Sequence, residues 1–348
     1  MTWRNLPQLH TCDRLPPNWH DVFRSKRRDH CRLLAYLALG LALTVIIYQL
    51  ARNRYREGFL LYHDDRPAAD KELVFAATHD SDMSWVSEYL SDWRANIYRV
   101  DDSWAALTVP QNKGHEAMAY LTFMIDRYWN LPEVTIFMHD KRYQWHNDNP
   151  LYDGVISIED LQLDFVKSAG YVNLRCAWMW GCPTELEPAR YLRERPDDPM
   201  HPTAMEFPDR FMELFPSVEV PEKVGIPCCS QFALSREKIL ERPREDYVRY
   251  RQWLLNTTLP DGTSGRIMEY SWHRFVEVIF GKPSQHCLDP RICYCQTYGY
   301  CNMTDQDLEK QWVWRGETLP PEWPWNHEGV TEGRPRNDAR EGVVLAEF

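Results

Sequence analysis

The chain has 348 residues, 44% of them hydrophobic, and a net charge of −11. That length is one large domain with appendages, or two small ones, and the folded part is long enough to bury a sizeable core. The acidic balance excludes nucleic acid as the natural partner. Fifteen Trp and eighteen Tyr are many; aromatic faces suit carbohydrate sites, but most of these rings belong in a core.

Residues 1–32 are polar, carry Pro16 and Pro17, and end in the basic run Arg24-Ser-Lys-Arg-Arg28. They read as a disordered cytosolic tail. Residues 33–51 are apolar, interrupted only by Gly40, Thr44 and Gln49. A run of about 19 such residues is just long enough for a bilayer core of ~30 Å. It has no small-residue cleavage site and starts far from Met1, so it reads as a transmembrane signal anchor rather than a cleaved signal; a buried core helix is the other reading. Arg14, Arg24, Lys26, Arg27, Arg28 and Arg32 precede it, against Arg52, Arg54, Arg56 and Arg66 after it. That bias puts the N-terminus in the cytosol and the rest in the lumen of the ER or Golgi, a single-pass type II arrangement. Two sequons, at Asn256 and Asn302, and eight of the ten cysteines fall on the lumenal side, as glycosylation and disulfide formation require.

Residues 52–70 read as a short stem and 71–282 as the lumenal domain. Leu73-Val-Phe-Ala-Ala77 predicts a first strand, Trp85 to Trp93 a helix, and Ile97-Tyr-Arg-Val100 a second strand. The stretch from Asn112 to His146 organises the domain. Asn112 to Gly114 is a turn, and Ala117, Tyr120, Leu121, Met124 and Tyr128 recur at helical spacing. Asn130 and Pro132 end the helix, and Val134 to Met138 is a β-branched strand of the buried parallel type. This β-α-β-α-β order predicts an α/β fold of three layers, a sheet flanked by helices. Leu161 to Ala169 predicts a further helix, and residues 176–227 read as irregular. Gln231 to Leu234 predicts a strand with Ser235 as the N-cap of the next helix. Asp246 to Leu255 and Glu269 to Phe280 predict the last two helices, separated by a loop at Gly262 and Gly265. Residues 283–348 read as a Cys-rich segment with a partly disordered tail. Its Cys293-Tyr-Cys295 pair has wide flanks, which favours disulfides over zinc in an oxidising lumen. A bridge between Cys176 and Cys182 is one open pairing.

No complete motif of a known mechanism is present, so the chemistry rests on local clusters. In open α/β sheets ligands bind beyond the carboxyl ends of the strands, and there the apolar run of the central strand stops at His139 and Asp140. Together with His146 and Asp148 these residues suit a divalent ion such as Mn²⁺. Glu269 and His273 lie at i and i+4 of a helix, where a carboxylate serves as general base and the His as its partner or as a metal ligand. Asn112, Lys113 and Gly114 form a turn at a helix N-terminus of the kind that receives phosphate. Glu116, in the first helical turn, suits sugar hydroxyls, and Arg236 suits a diphosphate.

Three stretches carry a family resemblance: Asn112 to His146, Cys228-Cys-Ser-Gln-Phe-Ala-Leu-Ser-Arg-Glu237, and Gly265-Arg-Ile-Met-Glu-Tyr-Ser-Trp-His273. Over residues 71–282 the chain resembles a fungal family known only as domain of unknown function 3431. It departs from that family in carrying His115 for an Arg, and Lys141 where a second His completes an H-x-H. More distantly, the turn-helix-turn-strand order is similar to rhamnan-type glycosyltransferases that use nucleotide sugars. That likeness implies a GT-A-like sheet, an acidic metal ligand at Asp140, although no D-x-D is present, and a metal that neutralises the diphosphate leaving group. The implied function is metal-assisted sugar transfer to a carbohydrate or glycoconjugate acceptor. The alternatives are a metal-dependent hydrolase built on His139, His146 and His273, and a lumenal binding or scaffold domain without turnover.

Overall fold

The computed structural model describes residues 36–48, 69–149, 151–178, 181–182, 184–197, 200–272, 279–280 and 287–303. The chain forms two compact units, Met1–Tyr62 and His63–Phe348. In the first, residues 36–48 form helix α1. Its apolar side chains, among them Leu37, Leu41 and Ile47, are exposed. No described helix is long and apolar enough to cross a membrane. The remaining positions of the expected 33–51 span lie outside the described residues.

The second unit is a mixed five-stranded sheet between two layers of helices. Strands β1 (Lys71–Ala77), β2 (Arg94–Arg99), β3 (Val134–His139), β4 (Tyr171–Asn173) and β5 (Phe232–Ser235) pair in the order β2-β1-β3-β5-β4. Alternate residues of a strand face opposite ways, so the sheet feeds two cores. Leu73, Phe75, Ile136 and Met138 enter one, with α2 (Ser84–Tyr89), α4 (Gly154–Glu159), α5 (Leu163–Ala169) and α11 (Pro290–Tyr298) contributing Trp85, Val155, Val166 and Tyr294. Val74, Phe137 and Phe232 enter the other, with α3 (Ala117–Asp126), α7 (Pro202–Leu214), α9 (Arg244–Asn256) and α10 (Asp261–Trp272). Helix α3 is buried on every side, as an all-round apolar helix must be. At the amino end of β1 the fully buried Glu72 carboxylate accepts hydrogen bonds from Arg127 at 2.9 Å and Asn96 at 2.9 Å. A charge buried there needs those partners.

Three expectations change. The sheet is not wholly parallel: β5 runs antiparallel to both β3 and β4. The loop expected at Gly262 and Gly265 is instead the start of α10, which spans Asp261–Trp272. Gly265 suits that helix because a Cβ there would sit 2.4 Å from the His115 ring. The span read as irregular contains α6 (Pro188–Glu194) and α7, each opening on a proline, the residue best placed at a helix start.

The Cys-rich segment is not an appendage. Its helix α11 buries Tyr294 and Tyr298 in the domain. Disulfides Cys176–Cys293 and Cys182–Cys287 tie it down, so the open Cys176–Cys182 pairing does not occur. Closing a loop of 117 residues removes denatured-chain entropy worth about 4–5 kcal/mol. Cys295–Cys301 and Cys228–Cys229 complete four disulfides, and no cysteine among these eight is left for zinc. Asp148, expected near a metal, is instead the buried joint of this assembly. Its carboxyl oxygens accept from the N–H of Cys176 at 2.6 Å, the N–H of Ala177 at 3.0 Å and the Tyr294 hydroxyl at 3.0 Å. Replacing Asp148 by Ala leaves these donors buried and unpaired. We expect Asp148→Ala to cost about 3 kcal/mol in denaturant unfolding, with the disulfides intact.

Candidate active site

His139 closes β3 at its carboxyl end. Its backbone N–H donates to Gln231 Oε1 at 3.1 Å, and its ring Nε2 donates to the Cys229 carbonyl at 2.7 Å. The loop beyond β3 returns His146 beside it, with ring centroids 4.6 Å apart. His146 Nδ1 donates to Gln144 Oε1 at 3.1 Å, and the Gln144 amide is itself held by the Lys141 carbonyl at 3.0 Å. The pKa of His146 lies well below the usual imidazole range. Burial is the main cause, with His139, Arg175 and Lys141 adding to it. At neutral pH His146 is therefore uncharged, and its Nε2 carries a lone pair. Trp145 packs against it at a tilt, with ring centroids 4.2 Å apart, and the Arg175 guanidinium lies over the Trp145 ring.

Helix α10 supplies the opposite wall. Glu269 accepts a hydrogen bond from the backbone N–H of Cys229. Its pKa is raised from 4.5 to about 7. Burial is the largest cause and the Glu116 charge comes next; the Cys229 N–H and Arg266 pull the other way. One helical turn before Glu269, Arg266 extends from the same face. His139, His146, Trp145, Glu116, His115 and Glu269 thus surround one cavity of about 570 Å³, completed by Glu185, Cys228, Cys229, Arg266 and Tyr270. A second cavity of about 640 Å³ adjoins it, sharing Glu185, Arg266 and Tyr270 and lined further by Arg190, Tyr191 and His201.

The cavity gathers four of the residues singled out from the sequence, Glu116, His139, His146 and Glu269. It does not gather the others. Asp140 is bonded to Ser81 through its carboxylate and to Trp85 through its carbonyl, away from the cavity. The phosphate-binding groups expected in the turn are used within the chain. Lys113 Nζ donates to the Leu259 carbonyl, the Gly114 N–H donates to the Asp261 carboxylate at 2.7 Å, and Asn112 is exposed outside the lining. Arg236 lies at the far end of the sheet, bonded to the carbonyls of Leu131 and Glu133. The cause is the direction of β5: its carboxyl end meets the amino end of β3. His273 lies outside the described residues. Asn256 is exposed at the end of α9, and Asn302 is exposed after α11.

The residues expected as metal ligands do not come together: Asp140 is turned away from His139 and His146, and among the described residues no group of three His, Cys, Asp or Glu is placed to hold a metal ion. Arg266, Tyr270, Glu185 and Trp145 were not singled out beforehand. For Arg266 a signal existed, because it precedes Glu269 by three residues within the same motif.

The raised pKa of Glu269 sets a pH dependence of stability. The folded protein holds the proton up to about 7, whereas the unfolded chain releases it near 4.5. Between those values the native state binds more protons, so stability falls as pH rises, by up to about 3 kcal/mol across the window. Glu269→Gln removes this contribution. We expect chemical unfolding of the variant to lack that loss between pH 4.5 and 7, and the variant to gain on wild type as pH rises.

No curated protein and no solved structure matches the chain significantly. The profile of a family described as protein of unknown function (DUF3431) matches residues 73–296, which run from β1 into α11. The match takes in every residue that lines the cavity, and the chain belongs to this family.

Proposed function

We propose that the cavity is an acid–base active site that transfers a sugar from a nucleotide sugar to a hydroxyl of a carbohydrate or glycoconjugate acceptor. The observation that carries this reading is Glu269, a partly buried carboxylate with a pKa of about 7 opening on a cavity of about 570 Å³. A general base works best when its pKa lies near the operating pH. Ionised Glu269 takes the proton from the acceptor hydroxyl as that oxygen bonds to the anomeric carbon. The bond from that carbon to the diphosphate breaks, and the nucleoside diphosphate leaves. Arg266 faces both cavities, where a guanidinium meets the charge growing on the leaving group. Neutral His146 accepts a hydrogen bond at Nε2, and Trp145 offers a face for a sugar ring. Two adjoining cavities give room for a donor and an acceptor, which a transfer needs and a simple hydrolysis does not. The resemblance to nucleotide-sugar enzymes implies a divalent ion, but no step here is routed through one, because the donor set described above does not assemble.

The setting is a type II membrane protein of the ER or Golgi. Four disulfides support an oxidising compartment. The apolar, exposed side chains of α1 support a membrane anchor, and the exposed Asn256 is open to glycosylation. The test is release of nucleoside diphosphate from a panel of nucleotide sugars with oligosaccharide acceptors. Turnover should rise with pH and level off above about 7. Glu269→Gln should lower kcat by roughly 10²–10⁴ while KM changes little. A folded protein that releases no nucleotide from any donor overturns the transferase reading and leaves a binding domain in its place.

A further inference from the structure

One wall of the cavity is a bond between neighbours in sequence: Cys228 and Cys229 are joined to each other by a disulfide. The peptide groups of Cys229 are divided between the two walls of the site. Its N–H donates to Glu269 on α10, and its carbonyl accepts from His139 Nε2 at the end of β3. The backbone around the bond is left-handed at two successive non-glycine residues, with φ of 96° at Cys229 and 49° at Ser230. Such residues persist where their surroundings over-determine them. Both cysteines line the cavity.

We propose that the Cys228–Cys229 disulfide is a redox latch that positions Glu269, the base of the reaction inferred above, and fixes His139 opposite it. Closed, it holds the Cys229 peptide between them. A dithiol reductant opens it: one thiolate attacks a cysteine sulfur, forming a mixed disulfide and freeing the other cysteine. The second thiol of the reductant then displaces the remaining cysteine and leaves as a cyclic disulfide. Two electrons and two protons pass to Cys228 and Cys229. Freed of the ring, the segment leaves its left-handed conformation, and both contacts of Cys229 are lost at once.

The latch is read without substrate, so the result stands whether or not the reaction is sugar transfer. The full chain carrying Cys228→Ser and Cys229→Ser is prepared, and peptide mapping without reductant confirms the other three disulfides. Two signals are followed: the midpoint of the pH dependence of unfolding, which reports Glu269, and the ring-nitrogen tautomer of His139 in ¹⁵N-histidine spectra. Glu269 faces Glu116, Glu185, Tyr171, Tyr270 and Arg266, all unchanged in the variant. Losing the Cys229 N–H removes a donor that favours the ionised form, so the midpoint should rise from about 7 by about half a unit or more. His139 should lose its single Nε2-protonated tautomer. Wild-type protein titrated with a dithiol should show the same two changes as alkylation first marks Cys228 and Cys229, and this serves if the variant does not fold. An unchanged midpoint and tautomer after Cys228 and Cys229 are opened would overturn the latch, as would mapping that finds these cysteines free or bonded elsewhere.

Discussion

The site depends on the direction of one four-residue strand. β5 is inserted antiparallel between β3 and β4. Its amino end therefore lies beside the carboxyl end of β3, where His139 stands. Gln231 enters at that junction and joins three separate pieces. Its side-chain Oε1 accepts the His139 N–H at 3.1 Å, and its side-chain Nε2 donates to the His146 carbonyl and to Asn147 Oδ1, each at 3.2 Å. A parallel β5 would have brought Arg236 to this place and sent the cysteine pair to the far edge. The strand's polarity thus decides which residues form the cavity, a carboxylate beside imidazoles rather than a basic cluster.

The loop that carries His146 has no regular structure of its own, and it is made rigid from below. Asn147 donates to the carbonyls of Arg142 and Tyr152, and Asn149 to those of Asp153 and the Ser157 hydroxyl. Asp148 between them is pinned to the Cys176 segment and to α11. Side-chain amides here satisfy carbonyls that a strand or helix would have satisfied, as buried backbone groups require. The disulfides to Cys287 and Cys293 then hold α11 against the same loop. The arrangement proposed as catalytic needs such support, because small displacements of reacting groups are costly.

The parts of the fold legible in the sequence are those with strong periodicity. β1, α3 and β3 follow directly from apolar runs and helical spacing. Glu116 and His139 flank those elements, so their places at the start of α3 and the end of β3 follow from the same runs, and Ser235 caps α8 (Arg236–Leu240) through its hydroxyl as its residue type suggests. Strand polarity was not legible. Phe-Ala-Leu-Ser reads the same in either direction, and four buried residues carry no alternation. Helix α10 was placed late because Gly262 and Gly265 look like a loop, whereas Gly265 is there to admit the His115 ring. The sequence around the turn at Gly114 carries no sign of its partner, Asp261, 147 residues away. The neighbouring cysteines were visible, but their bond to each other and its contacts with both walls are properties of the folded chain alone.

That this cavity receives a nucleotide sugar, as we propose, is tested by thermal unfolding of the purified protein against a panel of nucleoside diphosphates and nucleotide sugars, each with and without Mn²⁺. At about 100 times its dissociation constant a bound ligand adds about 2.7 kcal/mol, a shift that is easily seen. The expected result is stabilisation by one nucleotide class, lost on Arg266→Ala while the fold is retained. A panel without any shift in a folded protein, or a shift that Arg266→Ala leaves intact, would contradict it.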